Sequence, residues 1–304
     1  MIEFEDGRIS IPLKGQTSTQ LFPPINARIN WFGPALNPFF ERNPRNNPFV
    51  VTNTHPNFIY SAREMVSAWS GGWDGPSYPE VDGVVTLDLT AIAAVLDAIG
   101  PVESEVYGTV SGDQIGQILL VDAYADFGQE DAQQRQDANQ ELLDTLLTRV
   151  LSGSDLVPAA KAIAETAPGR HFQLWMKESR LENLALQAGV AGVVSDPGTG
   201  DWSAMYTQNG NQSKVDVFQQ RNVLVTANLE ADGSARVTQQ LTVNNATPAD
   251  RPDGPPERVG YETMWLKSAY ILYVPDAARD YRTSYPSGFT VRPFKGHSQL
   301  GNGW

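Results

Sequence analysis

Residues 81–101 read VDGVVTLDLTAIAAVLDAIGP, and this stretch predicts the fold class. Residues 81–88 have the valine- and leucine-rich pattern of a buried strand. The residues that follow carry apolar side chains at the i, i+3, i+4, i+7 spacing of an amphipathic helix: Leu89, Ile92, Val95, Leu96 and Ile99. Gly100 and Pro101 end that helix. A strand, a tight turn and a helix in this order predict an α/β layer.

The alternation of helix and strand continues on both sides of this stretch. Helices are predicted at residues 62–69, 112–127, 129–151, 155–169 and 179–189, from their caps, apolar spacing and glycine stops. HFQLWM at residues 171–176 predicts another strand. We therefore predict one α/β domain over residues 1–212.

The pattern changes at Lys214, where two long strands follow each other. Residues 214–245 alternate over two runs joined at ADGS, and Asp232-Gly233 is a hairpin signal. TMWLKSAYILYVP at 263–275 and GFTVRPF at 288–294 predict further strands. These patterns favour an antiparallel, β-sandwich-like region over residues 213–304.

Composition excludes several classes of function. The formal net charge is −13, which disfavours nucleic acid as a partner. The absence of cysteine excludes disulfides and thiolate metal sites, and the three histidines stand far apart. No apolar run reaches the 18 residues of a membrane span. The start resembles the middle of a hairpin and the end is abrupt, so we expect both ends to be cut from a longer chain.

Two segments carry candidate charged groups on predicted helices. Asp122 and Asp126 are four residues apart and share a helix face if the helix continues, which suits Mg²⁺ or an acid/base pair. A solvated helix end has the same composition. Arg135 can bind a phosphate through its planar fork, or it can pair with Asp131 one turn earlier, and the spacing favours the pair.

Residues 206–216, YTQNGNQSKVD, are dense in amides and contain one of only a few lysines. Lys214 and Asp216 point to one face if they lie in a strand, where they can pair with each other. Asn209 and its neighbours supply donors and acceptors that suit sugar hydroxyls. The same residues suit a turn, because Asn and Gly tolerate left-handed backbone.

Residues 21–50 predict a long irregular loop that is rich in proline, asparagine and aromatic side chains. Such a loop is either a packed connector or a functional segment.

Several segments, in chain order, resemble the recurring pattern of the actinobacterial domain of unknown function numbered 4012 (DUF4012). They are FEDGRISI, NTHPNFIYSAREMVSAW, VDGVVTLDLTAIAAVLDAIGPVE, YADF, RHFQLW, QNGNQSKVD, ADGSARVTQQLTVNNATP and YILYVP. Members of that family are typically anchored envelope proteins of Gram-positive bacteria of high GC content, often encoded among polysaccharide genes. An anchor upstream of the quoted segments is part of the family pattern.

The layout is also distantly similar to the LytR–CpsA–Psr (LCP) phosphotransferases. Those enzymes move a glycan from a polyprenyl-pyrophosphate carrier onto peptidoglycan, with Mg²⁺ and several arginines. Residues 124–136 resemble their arginine-containing segment, in which Arg135-Gln136 match the final Arg-Gln. Where those enzymes have an Arg-x-Arg pair, this chain has Asp122-Ala123-Tyr124.

These resemblances imply LCP-like mixed layers, an extracellular location at the cell envelope, and membrane contact only through an upstream anchor. They imply that Arg135 and Asp126 serve catalysis and that Asp122 and Asp126 hold Mg²⁺. The residues implied in phosphate or sugar contact are Lys214, Asp216, Asn209 and Gln136. The implied partner is a cell-wall or exopolysaccharide glycan, linked to polyprenyl pyrophosphate if the chain is a phosphotransferase. The alternative is a non-catalytic glycan-binding or scaffolding module.

Overall fold

The structure is a computed structural model of the 304-residue chain. It describes residues 1–6, 8–13, 15–22, 49–71, 76–128, 131–151, 153–194, 203–211, 213–274, 278–280 and 282–286. The aromatic loop predicted at 21–50 and the strand predicted at 288–294 lie almost entirely outside these residues.

Contacts group the chain into two compact units. The first consists of Met1–Gly116, Gln136–Gln208 and the residues from Tyr270 onward. The second consists of Gln117–Arg135 and Asn209–Ala269. The predicted division into 1–212 and 213–304 stays a prediction.

Most strands of the described residues are short, but the two longest have 11 residues each and the longest helix has 20. The strands are β1 (Glu3–Glu5), β2 (Arg8–Ser10), β3 (Gly83–Leu87), β4 (Val102–Ser104), β5 (Gly108–Val110), β6 (Phe172–Met176), β7 (Ala204–Asn209), β8 (Gln219–Leu229), β9 (Ala235–Asn245) and β10 (Ser268–Tyr273). The α-helices are α1 (Ser18–Leu21), α2 (Phe58–Trp69), α3 (Leu89–Ile99), α4 (Gly112–Gln117), α5 (Ala123–Asp126), α6 (Ala132–Leu151), α7 (Leu156–Glu165), α8 (Ser179–Gln187) and α9 (Pro256–Val259). Residues Phe49–Thr54, Ala167–Gly169 and Val215–Phe218 form 3₁₀ turns, and Ile118–Asp122 forms a π turn.

The core of the first unit forms around the stretch that predicts the fold. β3 pairs antiparallel with β6, from Gly83 opposite Met176 to Leu87 opposite Phe172. Helices α2 and α8 contact β6, and α3 contacts α7. The larger buried apolar side chains include Phe58, Tyr60, Val95, Leu96, Ile115 and Leu142. The predicted strand within 81–88 and the predicted helix at 89–99 are confirmed, but the prediction that the strand is buried is wrong. Val85 is 56% exposed and Leu87 is 39% exposed, since among the described residues the two-stranded sheet leaves one face of β3 uncovered.

Asp88 fixes the turn between β3 and α3. One carboxylate oxygen accepts hydrogen bonds from the backbone N–H of Thr90 at 2.9 Å and of Ala91 at 3.2 Å, which caps the helix. Its other oxygen lies 2.7 Å from Nδ1 of His171, just before β6. One side chain therefore joins the end of β3, the start of α3 and the start of β6.

Arg149 closes the opposite end of α3. Gly100 has φ +82° and ends the helix, and the Arg149 guanidinium donates to the carbonyl oxygens of Ile99, Gly100 and Pro101. Its Nε also lies 3.1 Å from a carboxylate oxygen of Asp155, just before α7. A positive charge at the end of a helix satisfies carbonyls that have no partner within the helix.

The predicted mixture of helix and strand is confirmed, in small sheets. Each sheet of the described residues is two-stranded, and the pairs β1–β2, β3–β6, β4–β5 and β8–β9 are antiparallel. The helix predicted over 112–127 is divided into α4, a π turn and α5. In the described part of the chain, no helix combines the length and the apolar run needed to cross a membrane.

The second unit contains the predicted hairpin. β8 and β9 pair from Gln219 opposite Asn245 to Leu229 opposite Ala235. Gly233 adopts φ +86° in the turn between them, where the backbone favours glycine. Among the described residues, β8 and β9 pair with no other strand, so the sandwich-like arrangement is not confirmed.

We predict that Arg149→Met lowers the free energy of unfolding by about 2 kcal/mol, because it removes charge-assisted hydrogen bonds to the end of α3. Arg180→Met is the matched control, since Arg180 is exposed and makes only a 3.7 Å pair with Glu178. We expect that control to change the free energy by less than about 0.5 kcal/mol. Chemical denaturation measures both, and equal effects would refute the assigned role of Arg149.

Candidate functional site

A buried arginine lies against two tyrosine rings in the second unit. Arg135, in the first turn of α6, is only 6% exposed. Its guanidinium carbon is 4.3 Å from the centroid of the Tyr124 ring and 5.8 Å from that of the Tyr261 ring. The two rings meet edge to face, with centroids 5.9 Å apart. Cation–π attraction stabilises a guanidinium in this position when no anion is bound.

Lys214 brings a second positive charge to the same tyrosine. Its Nζ lies 5.6 Å from the centroid of the Tyr124 ring. The guanidinium of Arg135 lies 4.3 Å from the same centroid, so both cations are close to one ring. The backbone N–H of Lys214 donates to the carbonyl of Tyr261 at 2.9 Å. Among the described residues, no carboxylate lies within 4.0 Å of either cation. Two like charges near one ring favour an anion between or beside them.

The amide-rich segment before Lys214 is a hydrogen-bonded turn. The Asn209 side chain accepts from the N–H of Asn211 at 3.1 Å and donates to the carbonyl of Ser213. Asn211 in turn accepts from the Ser213 hydroxyl at 2.9 Å and donates to the carbonyl of Trp265 at 3.0 Å. Both polar ends of the Asn209 side chain are thus used in the turn that positions Lys214. The prediction that this segment forms a turn is confirmed, and a ligand contact by Asn209 stays a prediction.

Glu262 lies in a cluster of charged side chains in this unit. Glu262 and Arg251 are about four-fifths buried and lie 2.8 Å apart. Burial raises the pKa of Glu262 above its usual range, Arg251 opposes that shift, and the charges of Asp122 and Asp250 add to it. Asp122 also accepts a hydrogen bond of 2.8 Å from the side chain of Gln117. Its position near Glu262 raises the cost of ionising this group of carboxylates together.

The other predicted site residues have varied surroundings. Asp126 is exposed at the end of α5, and the backbone is helical from Asp122 to Asp126, as the predicted shared face requires. Asp216 is exposed in a 3₁₀ turn, and Gln136 is half-buried on α6. Their roles in catalysis or ligand contact stay predictions.

Two expected ion pairs are absent among the described residues. Arg135 does not pair with Asp131: its backbone N–H donates to the carbonyl of Asp131 at 3.1 Å, while its side chain turns inward to the tyrosines. Lys214 does not pair with Asp216, because residues 215–218 form a turn and not the strand that would place both side chains on one face.

Tyr124 and Tyr261 are the members of the site that sequence reasoning missed. Tyr124 lies in the quoted YADF motif, which draws attention to the segment but gives the ring no role. Tyr261 is more than a hundred residues away in the chain, and no spacing rule links the two.

The predicted Mg²⁺ site is not assembled by the described residues alone. Within them, no group of three or more histidine, aspartate or glutamate side chains has an arrangement that could hold a metal ion. Asp122 and Asp126 alone supply fewer ligands than Mg²⁺ requires, so water or a phosphate would complete the set. Mg²⁺ binding stays a prediction.

We predict that Asn209→Ala lowers the free energy of unfolding by about 2 kcal/mol, because it leaves the buried Ser213 carbonyl without its donor. Asn222→Ala on the exposed surface of β8 is the matched control. Thermal or urea unfolding without ligand measures the effect. If Asn209→Ala is as stable as the control, the turn does not depend on this side chain.

Glu262 predicts a distinct pH dependence. The pKa of Glu262 is higher in the folded protein than in the unfolded chain. The stability that this difference contributes is therefore fully present below the unfolded-state pKa of about 4.3, and it is lost as the pH rises through the folded-state pKa. Stability measured from pH 4.3 upward should therefore fall less steeply in Glu262→Gln than in the wild type. Glu257→Gln, on the exposed face of α9, should keep the wild-type slope. Parallel slopes in all three proteins would contradict the assignment.

Comparison with known proteins gives a family match for part of the chain. Neither the curated proteins nor the solved structures contain a significant match. The family model described as "Protein of unknown function (DUF4012)" matches residues 1–124. That range includes Asp122 and Tyr124 but neither Arg135 nor Lys214, so the match assigns no role to the cations. The similarity to LCP phosphotransferases stays a prediction. The match over residues 1–124 supports the resemblance to DUF4012 that the motifs in this part of the chain predict.

Proposed function

We propose that the second unit binds a phosphate-bearing ligand through Arg135 and Lys214. The observation that carries this proposal is the approach of both cations to the Tyr124 ring, with no carboxylate partner among the described residues. Most buried charges in proteins are paired, because removing them from water is costly. The two tyrosine rings offset part of that cost for Arg135, and a bound anion would offset the rest.

The two cations suit phosphate for different reasons. The planar guanidinium of Arg135 offers parallel N–H donors that match two oxygens of one phosphate group. Lys214 supplies a compact charge that can adjust to the third oxygen or to a second phosphate. The hydroxyl groups of Tyr124 and Tyr261 can donate to the same ligand. A diphosphate would use both cations at once.

The resemblance suggests what the phosphate is attached to. We propose a phosphorylated cell-wall or exopolysaccharide glycan, including one on a polyprenyl-pyrophosphate carrier, handled at the extracellular side of the cell envelope. Membrane attachment would come from an anchor upstream of the quoted segments. LCP-like layering and a sandwich-like arrangement of the β-rich region belong to the same proposal.

Binding without transfer is the form of this function that we favour. The Arg-x-Arg pair of the LCP enzymes is replaced by Asp122-Ala123-Tyr124, so an anionic and an aromatic side chain stand where two cations would be. A diphosphate in a transfer reaction develops charge that several cations must stabilise. One arginine and one lysine suit recognition of the ligand better than its cleavage.

Inorganic pyrophosphate tests the proposal directly by isothermal titration. We predict measurable binding by the wild type and binding about 10–100-fold weaker by Lys214→Met, because each cation contributes a charge-assisted hydrogen bond. Arg236→Met is the matched control: Arg236 is exposed on β9 and should leave the affinity unchanged. Arg135→Lys keeps the charge but removes the planar fork, and it should also weaken binding.

Different outcomes test the anion site, the role of the phosphate and the absence of transfer separately. If the wild type binds no pyrophosphate, or if Lys214→Met binds it like the wild type, the anion site is refuted. A sugar phosphate that binds while the same sugar without phosphate does not would show that the anion dominates recognition. Incubation with a polyprenyl-pyrophosphate glycan and Mg²⁺ tests transfer: turnover would refute the non-catalytic form, and binding without turnover would support it.

A further inference from the structure

The β8–β9 hairpin has two chemically different faces. Residues directly opposite each other in an antiparallel pair share a face, and neighbours along a strand alternate between faces. The register therefore places one set of mostly polar side chains together: Gln220, Asn222, Leu224, Thr226, Asn228, Arg236, Thr238, Gln240, Thr242 and Asn244. The opposite face carries the polar side chains Gln219, Arg221, Gln239 and Asn245 and otherwise apolar ones: Val223, Val225, Ala227, Leu229, Ala235, Val237, Leu241 and Val243.

This apolar hairpin face is largely exposed. Val225 is 52% exposed, Val237 is 48% exposed, and Leu229 near the tip is 82% exposed. A sheet with one apolar face normally buries that face against another layer. Alternation that places every valine of both strands, and every leucine except Leu224, on one side predicts a second layer. Among the described residues, no strand supplies that layer.

We propose that a second copy of this chain covers the apolar hairpin face, with two hairpins packed face to face about a two-fold axis. Two copies of one amphipathic ribbon are self-complementary, as an isologous interface requires. The pair would form a four-stranded sandwich with its sheets about 10 Å apart. The sandwich-like architecture suggested by the alternation would then be completed between chains.

The charges on the hairpin select one relative direction. Arg221 is the only charged residue on the apolar face within β8 and β9, and it lies near the base. Asp232 lies in the turn at the tip, about 30 Å from Arg221 along the strand. Glu230 falls on the polar face by the same alternation. An antiparallel stack places each Arg221 near Asp232 of the other copy. A parallel stack would bring the two Asp232 carboxylates together, which repel each other.

Local hydrogen bonds favour the charged form of Asp232. The backbone N–H of Ser234 donates to its carboxylate at 2.9 Å, and hydrogen bonds from Ser234 lower the pKa of Asp232. Both charge contacts of the two-fold arrangement would lie at its rim, open to solvent. They therefore set the direction of packing and make the association sensitive to salt.

The size of the face sets the expected strength. Strands of this length and spacing give a surface of about 35 Å by 10 Å, less than the roughly 800 Å² per partner of a stable interface. We therefore expect a weak, reversible dimer with a dissociation constant in the range of about 10–100 μM. The proposal does not depend on anion binding, since it involves none of the residues near Tyr124.

Sedimentation velocity between about 1 μM and about 500 μM tests the dimer. We expect concentration-dependent dimerisation of the wild type, weakened at least 10-fold by Val225→Asp. Thr226→Asp is the matched control, because Thr226 is exposed on the polar face next in sequence and should leave the dimer intact. Both positions are exposed, so circular dichroism should show folded protein in each case.

A charge exchange tests the direction of packing. Arg221→Glu should weaken the dimer at least 10-fold, and adding Asp232→Lys to the same chain should restore it. Failure of that restoration would refute the antiparallel stack. A wild type that remains monomeric at the highest concentration would overturn the proposal, even if another partner covers the face. Equal effects of Val225→Asp and Thr226→Asp would also overturn it.

Discussion

The guanidinium of Arg135 is buried, and the way its charge is stabilised constrains the candidate site. Its surroundings are the rings of Tyr124 and Tyr261, which attract a cation through their faces but cannot neutralise it. Lys214 adds a second positive charge beside Tyr124. Among the described residues, neither cation has a carboxylate partner, and the aromatic rings offset only part of the cost of the buried charge. The proposed anion recognition rests on this imbalance of charge.

The same unit also contains carboxylates close in sequence to the two tyrosines. Glu262 pairs with Arg251, and its pKa is raised by burial and by the charges of Asp122 and Asp250. The Asn209 turn sets the backbone that carries Lys214, and the Lys214 N–H is bonded to the carbonyl of Tyr261. Polar residues that resemble a sugar-binding surface in the sequence thus act first as a support for the cation. A local hydrogen-bonded turn and a ligand site are compatible when one positions the other.

Local sequence predicted the elements better than their assembly. Residues 81–101 predict a strand and a helix because periodicity, the Asp88 cap and the Gly100 stop act within a few residues of each other. The hairpin at 219–245 follows from Asp232-Gly233 for the same reason. Residue type singles out both Arg135 and Lys214, but spacing wrongly favours a pair of Arg135 with Asp131. The possible pair of Lys214 with Asp216 is absent among the described residues. Spacing along a helix or strand cannot show that the two cations meet Tyr124, or that Tyr261 packs beside it. Those contacts depend on how distant parts of the chain fold together.

Among the described residues, the apolar hairpin face lacks a packing partner and the two cations lack an anionic partner. The unpaired cations are the more specific feature, because they predict that the missing partner is an anion. A crystal structure determined with inorganic pyrophosphate tests it most directly. The account predicts phosphate oxygens within hydrogen-bonding distance of both the Arg135 guanidinium and the Lys214 ammonium. Pyrophosphate bound elsewhere, or none bound beside Tyr124, would contradict it.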